Sequence, residues 1–321
     1  MSELLKNVDA RTKLAGTNKL EILLFTLGID AYTKRRETFG INVFKVREVM
    51  RIPEITRAPE MPSAVEGMVS LRGHLVPVVD LARYVGVETV HEVKPQIMIV
   101  TEYNGHTQGF LVEAVDTILR LDWSSMRVPP DMLVTRMGGM VTAVTELADN
   151  RLVMMLDVEK VLSETSHYDD EFMYKGIKPA DLSDKTVFFA DDSAVARKQI
   201  QKTLELLNVK FISAANGRQA WEELQRIAGY AATAQVPVSE MIHLVLTDVE
   251  MPEMDGYMLT KSIKSDPRFA GIPVIMHSSL SGMSNQHLGK SVGVDEYVCK
   301  FQPNVLADTL TRLLTHTKNK A

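Results

Sequence analysis

The residues of this chain best suited to chemistry are three aspartates, a serine and a lysine in its second half. Asp191 and Asp192 directly follow an apolar run, Thr186–Ala190, and Asp248 directly follows another, His243–Thr247. Ser278 closes a third run that begins Val274–Met276, and Lys300 follows Glu296–Cys299. Each thus stands at the end of a segment that reads as a strand. Three carboxylates gathered in a partly dehydrated pocket repel one another unless cations offset them. A hard divalent ion such as Mg2+, which takes oxygen ligands and keeps several waters, is one candidate. Lys300, as a point charge, is the other. Cations and a hydroxyl around an aspartate suit transfer of a phosphoryl group to that carboxylate, the aspartate acting as nucleophile. Taken singly, each residue has a plainer reading. The Asp pair suits a turn, Asp192 or Ser193 suits a helix cap, and Asp248 suits a solvated loop. Only their joint placement carries the chemistry.

That placement depends on the elements between them. Helical spacing is present over Ala194–Leu207, Arg218–Ile227, Tyr257–Lys264, weakly over Gln286–Lys290, and over Asn304–Leu314, with a further strand at Lys210–Ala214. Five strands alternating with helices predict an α/β doubly wound parallel sheet over residues 185–317. Ligands of such sheets sit beyond the carboxyl ends of the strands, at the switch point. In a 2-1-3-4-5 order the first and third strands flank that point, so Asp191, Asp192 and Asp248 converge. The stretch Ala228–Met241 predicts an extra lobe after the second helix.

The first half has a different rhythm. Residues 1–18 read as a short helix with Leu4, Leu5 and Val8 on one side. Residues 19–163 then carry short apolar runs: Glu21–Gly28, Ile41–Val46, Met68–Leu71, Leu75–Val79, Ile97–Val100, Gly109–Val115, Ile118–Leu121, Met140–Val144 and Arg151–Leu156. Turn residues such as Arg72-Gly73 and Gly138-Gly139 punctuate them, so this half is expected to be all-β, a barrel or barrel pair, closing with a helix around Val158–Leu162. Residues 164–184 are polar and acidic and read as a linker.

Charge narrows the function. Residues 1–170 carry 19 Lys and Arg against 24 Asp and Glu, and the remainder carries 17 of each. Neither half offers a basic field, which disfavours a nucleic-acid role. His74, His91, His106 and His167 show no metal-ligand spacing, and no phosphate-binding glycine loop occurs. The first half is therefore expected to bind rather than catalyse. The lone Cys299 lies in an apolar run, excludes an intramolecular disulfide and reads as a small buried hydrophobe. The N-terminus lacks the pattern of a secretory signal and no apolar run reaches the ~18 residues of a membrane helix, so a cytoplasmic protein is expected.

The segments Phe188–Ser193 (FFADDS), Leu246–Gly256 (LTDVEMPEMDG) and Val298–Lys300 (VCK) resemble two-component receiver domains of the CheY type. The resemblance implies Asp248 as the phosphoacceptor. It implies Mg2+ held by Asp191, Asp192, Asp248 and the backbone carbonyl of Glu250. It further implies Ser278 as switch hydroxyl, Tyr297 as switch aromatic and Lys300 as the phosphate-contacting lysine. Receivers usually place proline directly after that lysine. Here Phe301 follows, and Pro303 comes two residues later.

In the first half, Glu21–Gly28 (EILLFTLG), Phe39–Val49 (FGINVFKVREV), Gly67–Gly73 (GMVSLRG) and Val76–Leu81 (VPVVDL) resemble CheW coupling proteins. These have two small five-stranded, SH3-like barrels and bridge chemoreceptors to the histidine kinase CheA. The resemblance implies Val46, Glu48 and Gly67 on the receptor-facing surface, with Arg72 near the kinase-facing one. Val46 also suits a core position, Gly67 a turn and Arg72 a structural ion pair. The loop Ile29–Thr38 is longer than the family's usual turn.

A CheW-like part joined to a receiver is the arrangement of CheV-type chemotaxis adaptors. It implies a cytoplasmic protein at the receptor arrays, inner face of the membrane, which takes a phosphoryl group from CheA and catalyses only its own phosphorylation and dephosphorylation. An alternative is a phosphate sink that drains CheA. Aspartyl phosphatases of the haloacid dehalogenase class fit poorly. They carry Asp-x-Asp after the first strand, whereas here the acids are adjacent and the nucleophile candidate lies on strand three.

Overall fold

A computed structural model describes residues 19–57, 60–87, 95–103, 106–130, 132–133, 137–165, 174–278, 289–300 and 302–316. The expected N-terminal helix lies outside them, as do residues 166–173 of the expected linker and most of the weak helix at 286–290. The chain divides into two compact units, one spanning Leu20–His167 and the other holding the rest.

The first unit contains two five-stranded sheets. One is built from β1 (Lys19–Ile29), β2 (Arg36–Asn42), β8 (Ala114–Asp122), β9 (Val141–Glu146) and β10 (Leu152–Leu156), in the order β8-β1-β2-β10-β9. The other contains β3 (Val46–Arg51), β4 (Val65–Leu71), β5 (His74–Asp80), β6 (Ile97–Tyr103) and β7 (His106–Val112), in the order β3-β6-β7-β5-β4. Leu20, Ile22 and Leu24 alternate along β1 and pack with Trp123, Met126, Val153 and Met155. Val69, Val76, Val78, Met98, Val100 and Leu111 fill the core of the second sheet.

The run Ile41–Val46, expected to be one strand, is split. Asn42 ends β2, and its side chain accepts a hydrogen bond from Phe44 N at 3.0 Å, capping a 3-10 turn over Val43–Lys45. Such a local bond competes with the sheet ladder. Val46 then opens β3 in the other sheet. Likewise β7 stops at Val112, and the chain bends at Glu113 before β8. The unit also holds helices α1 (Leu81–Val85), capped by Asp80, and α2 (Val158–Thr165). Glu159 on α2 pairs with Lys45 of the sheet-changing turn at 3.0 Å, both side chains being largely buried.

The second unit is the expected parallel sheet. Its strands β11 (Thr186–Ala190), β12 (Lys210–Ala214), β13 (Leu244–Thr247), β14 (Val274–Ser278) and β15 (Glu296–Cys299) run in the order β12-β11-β13-β14-β15. Its central strands are almost wholly buried because helices cover both faces. Those helices are α3 (Ala194–Leu206), α4 (Gly217–Ala234), α5 (Gly256–Ser265) and α6 (Pro303–His316). The expected extra lobe over Ala228–Met241 is instead the last two turns of α4 and a short 3-10 turn at Val238–Glu240. Ala228 and Ala231 continue the buried face of α4, and alanine is the strongest helix former. Pro303, displaced from the position after the lysine, serves as the first residue of α6, where a missing N–H costs nothing.

Candidate functional site

The loop after β11 is organised by backbone hydrogen bonds. Ser193 caps α3, its hydroxyl accepting from Ala196 N at 3.4 Å, and Ser193 N donates to Asp191 Oδ1 at 2.9 Å. The capping role thus falls to Ser193, which leaves both aspartates for the pocket. Asp191 is fully buried and Asp192 half-buried. Arg197, one helical turn into α3, reaches back. Its Nη1 donates to the carbonyls of Asp191 and Asp192 at 2.8 and 2.9 Å.

Asp248 follows β13. Its N–H donates to Ala190 O at 2.8 Å, which extends the β11–β13 pairing by one residue and sets the two acidic loops side by side. Val249 N donates to Asp248 Oδ1 at 2.7 Å. Gly256, which opens α5, passes so near that a Cβ there would lie 1.9 Å from Asp248 O. Only glycine permits this approach. Asp255 caps α5 by accepting from Met258 N at 2.7 Å, so the last acid of the motif is structural.

Lys300 is 2% exposed, and its Nζ lies 2.9 Å from both Asp191 Oδ2 and Asp248 Oδ2. Lys300 N donates to Ser278 O at 3.0 Å, holding the ends of β14 and β15 together. Ser278 is buried, close to the Tyr297 phenol. Burial drives the Tyr297 pKa upward; the nearby Ser278 hydroxyl opposes this, and the Asp248 and Glu250 charges add to it. No spacing or motif marks Tyr257 on α5 as part of the site. It is buried, and its pKa is raised first by burial and then by Tyr297 and the nearby carboxylates. Arg197 was legible in principle, four residues beyond a capping serine on a side that helical geometry turns back toward the N-terminus.

Carboxylate oxygens of Asp191, Asp192 and Asp248 lie within 4.8 Å of one another. An all-oxygen, anionic donor set of this compactness fits a hard divalent ion such as Mg2+. Glu250, also buried, sits in the same loop two residues after Asp248. The arrangement can hold a cation beside a nucleophilic carboxylate.

In the first unit, Val46 is half-buried and pairs with Thr101. Glu48 and Arg72 form an ion pair, with Arg72 Nη2 3.0 Å from Glu48 Oε2. Arg72 and Gly73 have φ of 51° and 84° and form the two-residue turn between β4 and β5, a geometry that suits the twist of a hairpin. Gly67 has φ of 147°, and a Cβ there would come within 2.4 Å of Thr56 O. Its lack of a side chain serves the backbone bridge between Thr56 and Met68. No helix among the described residues is long and apolar enough to cross a membrane.

Comparison with known proteins follows the same division. Residues 21–166 match the CheW-like domain family and residues 187–311 the response regulator receiver domain family. Chemotaxis protein CheV1 of Helicobacter pylori is 28% identical over 331 aligned positions, covering 98% of this chain and 99% of that protein. Chemotaxis protein CheW of Klebsiella aerogenes is 31% identical over 153, covering 47% of this chain and 87% of its own length. Chemotaxis protein CheY1 of Helicobacter pylori is 36% identical over 126, covering 39% and 92%.

Proposed function

This chain belongs to the CheV-type proteins, a CheW-like domain joined to a response regulator receiver domain, and from that premise we propose that phosphorylation of Asp248 sets how its CheW-like domain couples chemoreceptors to the kinase CheA. CheV-type proteins are chemotaxis signalling adaptors rather than classical enzymes. Residues 19–163 act as the coupling domain and residues 185–317 as the receiver. The work is done at the cytoplasmic face of the receptor array.

One observation carries the phosphoryl reading: Lys300 Nζ stands 2.9 Å from both Asp191 and Asp248, at the centre of an otherwise anionic pocket. A carboxylate oxygen of Asp248 attacks the phosphorus of a phosphohistidine on the kinase. The P–N bond breaks, its electron pair stays on the imidazole, and a P–O bond forms to give an acyl phosphate. Asp191, Asp192, Asp248 and the Glu250 carbonyl would hold Mg2+, which would supply positive charge against the phosphoryl oxygens. Lys300 exchanges its bond to Asp248 for one to a phosphoryl oxygen. The Ser278 hydroxyl turns to another, and the neighbouring Tyr297 hands that movement on. Attack of water on phosphorus later restores the carboxylate.

The test is transfer of labelled phosphoryl from phosphorylated CheA to the wild type and to Asp248→Asn, with and without Mg2+. Metal-dependent label on the wild type alone is expected. Label retained by Asp248→Asn would overturn the assignment. The decay rate of the label separates an adaptor from a phosphate sink, which needs fast turnover.

A further inference from the structure

Among the described residues, Arg197 pairs with no carboxylate, yet it binds both residues that open the acidic loop. The two hydrogens of one nitrogen, Nη1, go to the carbonyls of Asp191 and Asp192 at 2.8 and 2.9 Å. We propose that Arg197 is a positioning residue for the metal, fixing the Asp191 and Asp192 peptide planes so that their carboxylates point at one cation. The proposal rests on the receiver reading above.

Three features support it. Arg197 N donates to Ser193 O at 3.0 Å, so the side chain springs from the first, well-anchored turn of α3. Ser193 N binds Asp191 Oδ1 at 2.9 Å, so the loop is gripped from the amide side by the cap and from the carbonyl side by the guanidinium. Mg2+ demands near-octahedral geometry and tolerates misplaced ligands badly. Groups that orient metal ligands without touching the metal commonly matter about 10–100-fold in affinity.

Charge and positioning predict opposite signs. A guanidinium beside a cation site repels the cation, so deleting it for charge alone tightens Mg2+ binding. If Arg197 positions the loop, deleting it weakens binding.

The experiment is calorimetric titration of the full, unphosphorylated chain with MgCl2 for the wild type, R197M and R197K, with melting curves in EDTA as a folding control. Expected is at least about 10-fold weaker binding by R197M. R197K, whose ammonium also offers two hydrogens from one nitrogen, should stay within about 3-fold of the wild type. Unchanged or tighter binding by R197M overturns the role of Arg197 alone. If R197M does not fold, the wild type still decides through NMR of its guanidinium group. Slowed Nη1 exchange and a shift on adding MgCl2 are expected, and a freely rotating guanidinium overturns the proposal. A wild type that binds no Mg2+ overturns the receiver reading, and the role of Arg197 with it.

Discussion

Arg72 and Glu48, which the resemblance to CheW assigns to different partner surfaces, are joined across the second sheet by a 3.0 Å ion pair. Their side chains are 68% and 31% exposed, so solvent screens the pair and its loss should cost under about 1 kcal/mol. Changes in binding therefore report partner contacts rather than folding. Glu48→Lys is expected to weaken receptor binding, and Arg72→Glu kinase binding, each with an unchanged melting temperature. Combining both restores an ion pair with reversed charges. If the double variant recovers both affinities in pull-down titrations, the pair itself is what matters and the two surfaces are not separate.

Gly67 calls for a different expectation. Its φ of 147° and the 2.4 Å approach of a Cβ to Thr56 O make any side chain there a strain on β4. Gly67→Ala should lower the unfolding free energy by about 1–3 kcal/mol. A receptor-binding defect in this variant would then follow from the lost Thr56–Met68 bridge. Urea unfolding of the variant equal to the wild type would instead make Gly67 a contact residue.

Much of the receiver was readable because parallel strands are buried on both faces and appear as unbroken apolar runs. Val187–Phe189 and Val245–Leu246 are such runs, and the acids after them followed from topology. Periodicity is local, however, and does not record which sheet a strand joins. Ile41–Val46 reads as one strand although Asn42 diverts the chain into a second sheet. The last turns of α4 escape a reading by periodicity because Ala228–Ala234 is rich in small residues. Side-chain pairs between distant elements, such as Lys45 with Glu159 and Arg72 with Glu48, leave no trace in spacing at all. Cys299, read as a buried hydrophobe, is half-buried, with burial pushing its thiol pKa up.

His243 makes the receiver acid-sensitive. Thr186 N donates to its Nδ1 at 3.1 Å, a bond that needs the neutral ring. Burial, then the Lys185 ammonium, hold its pKa below the usual 6.5. Because the folded-state value is the lower one, the neutral ring's contribution to stability is fully present above about 6.5. It begins to fade below that pH and is lost as pH falls through the folded-state value. Urea midpoints should therefore drop from pH 7 to pH 5. His243→Gln, which keeps an acceptor but does not titrate, should show a shallower drop. Equal slopes for the two proteins would remove His243 as the cause.

Lys300 holds the acidic pocket together before any metal arrives, and its removal should show this. Its Nζ faces Asp191 and Asp248 at 2.9 Å each, with all three side chains almost wholly buried. Taking one partner from a buried pair leaves uncompensated charge and costs about 3–5 kcal/mol. Lys300→Met is thus expected to lower receiver stability strongly in EDTA, and added Mg2+ should restore much of the loss by supplying the missing positive charge. Asp248→Asn should do little in EDTA, since Lys300 still pairs with Asp191. Combining the two substitutions should be milder than Lys300→Met alone, because one of the stranded carboxylates is gone. Urea unfolding of the three variants with and without Mg2+ checks the set. If Lys300→Met is as stable as the wild type in EDTA, Lys300 is not the counter-charge of this pocket.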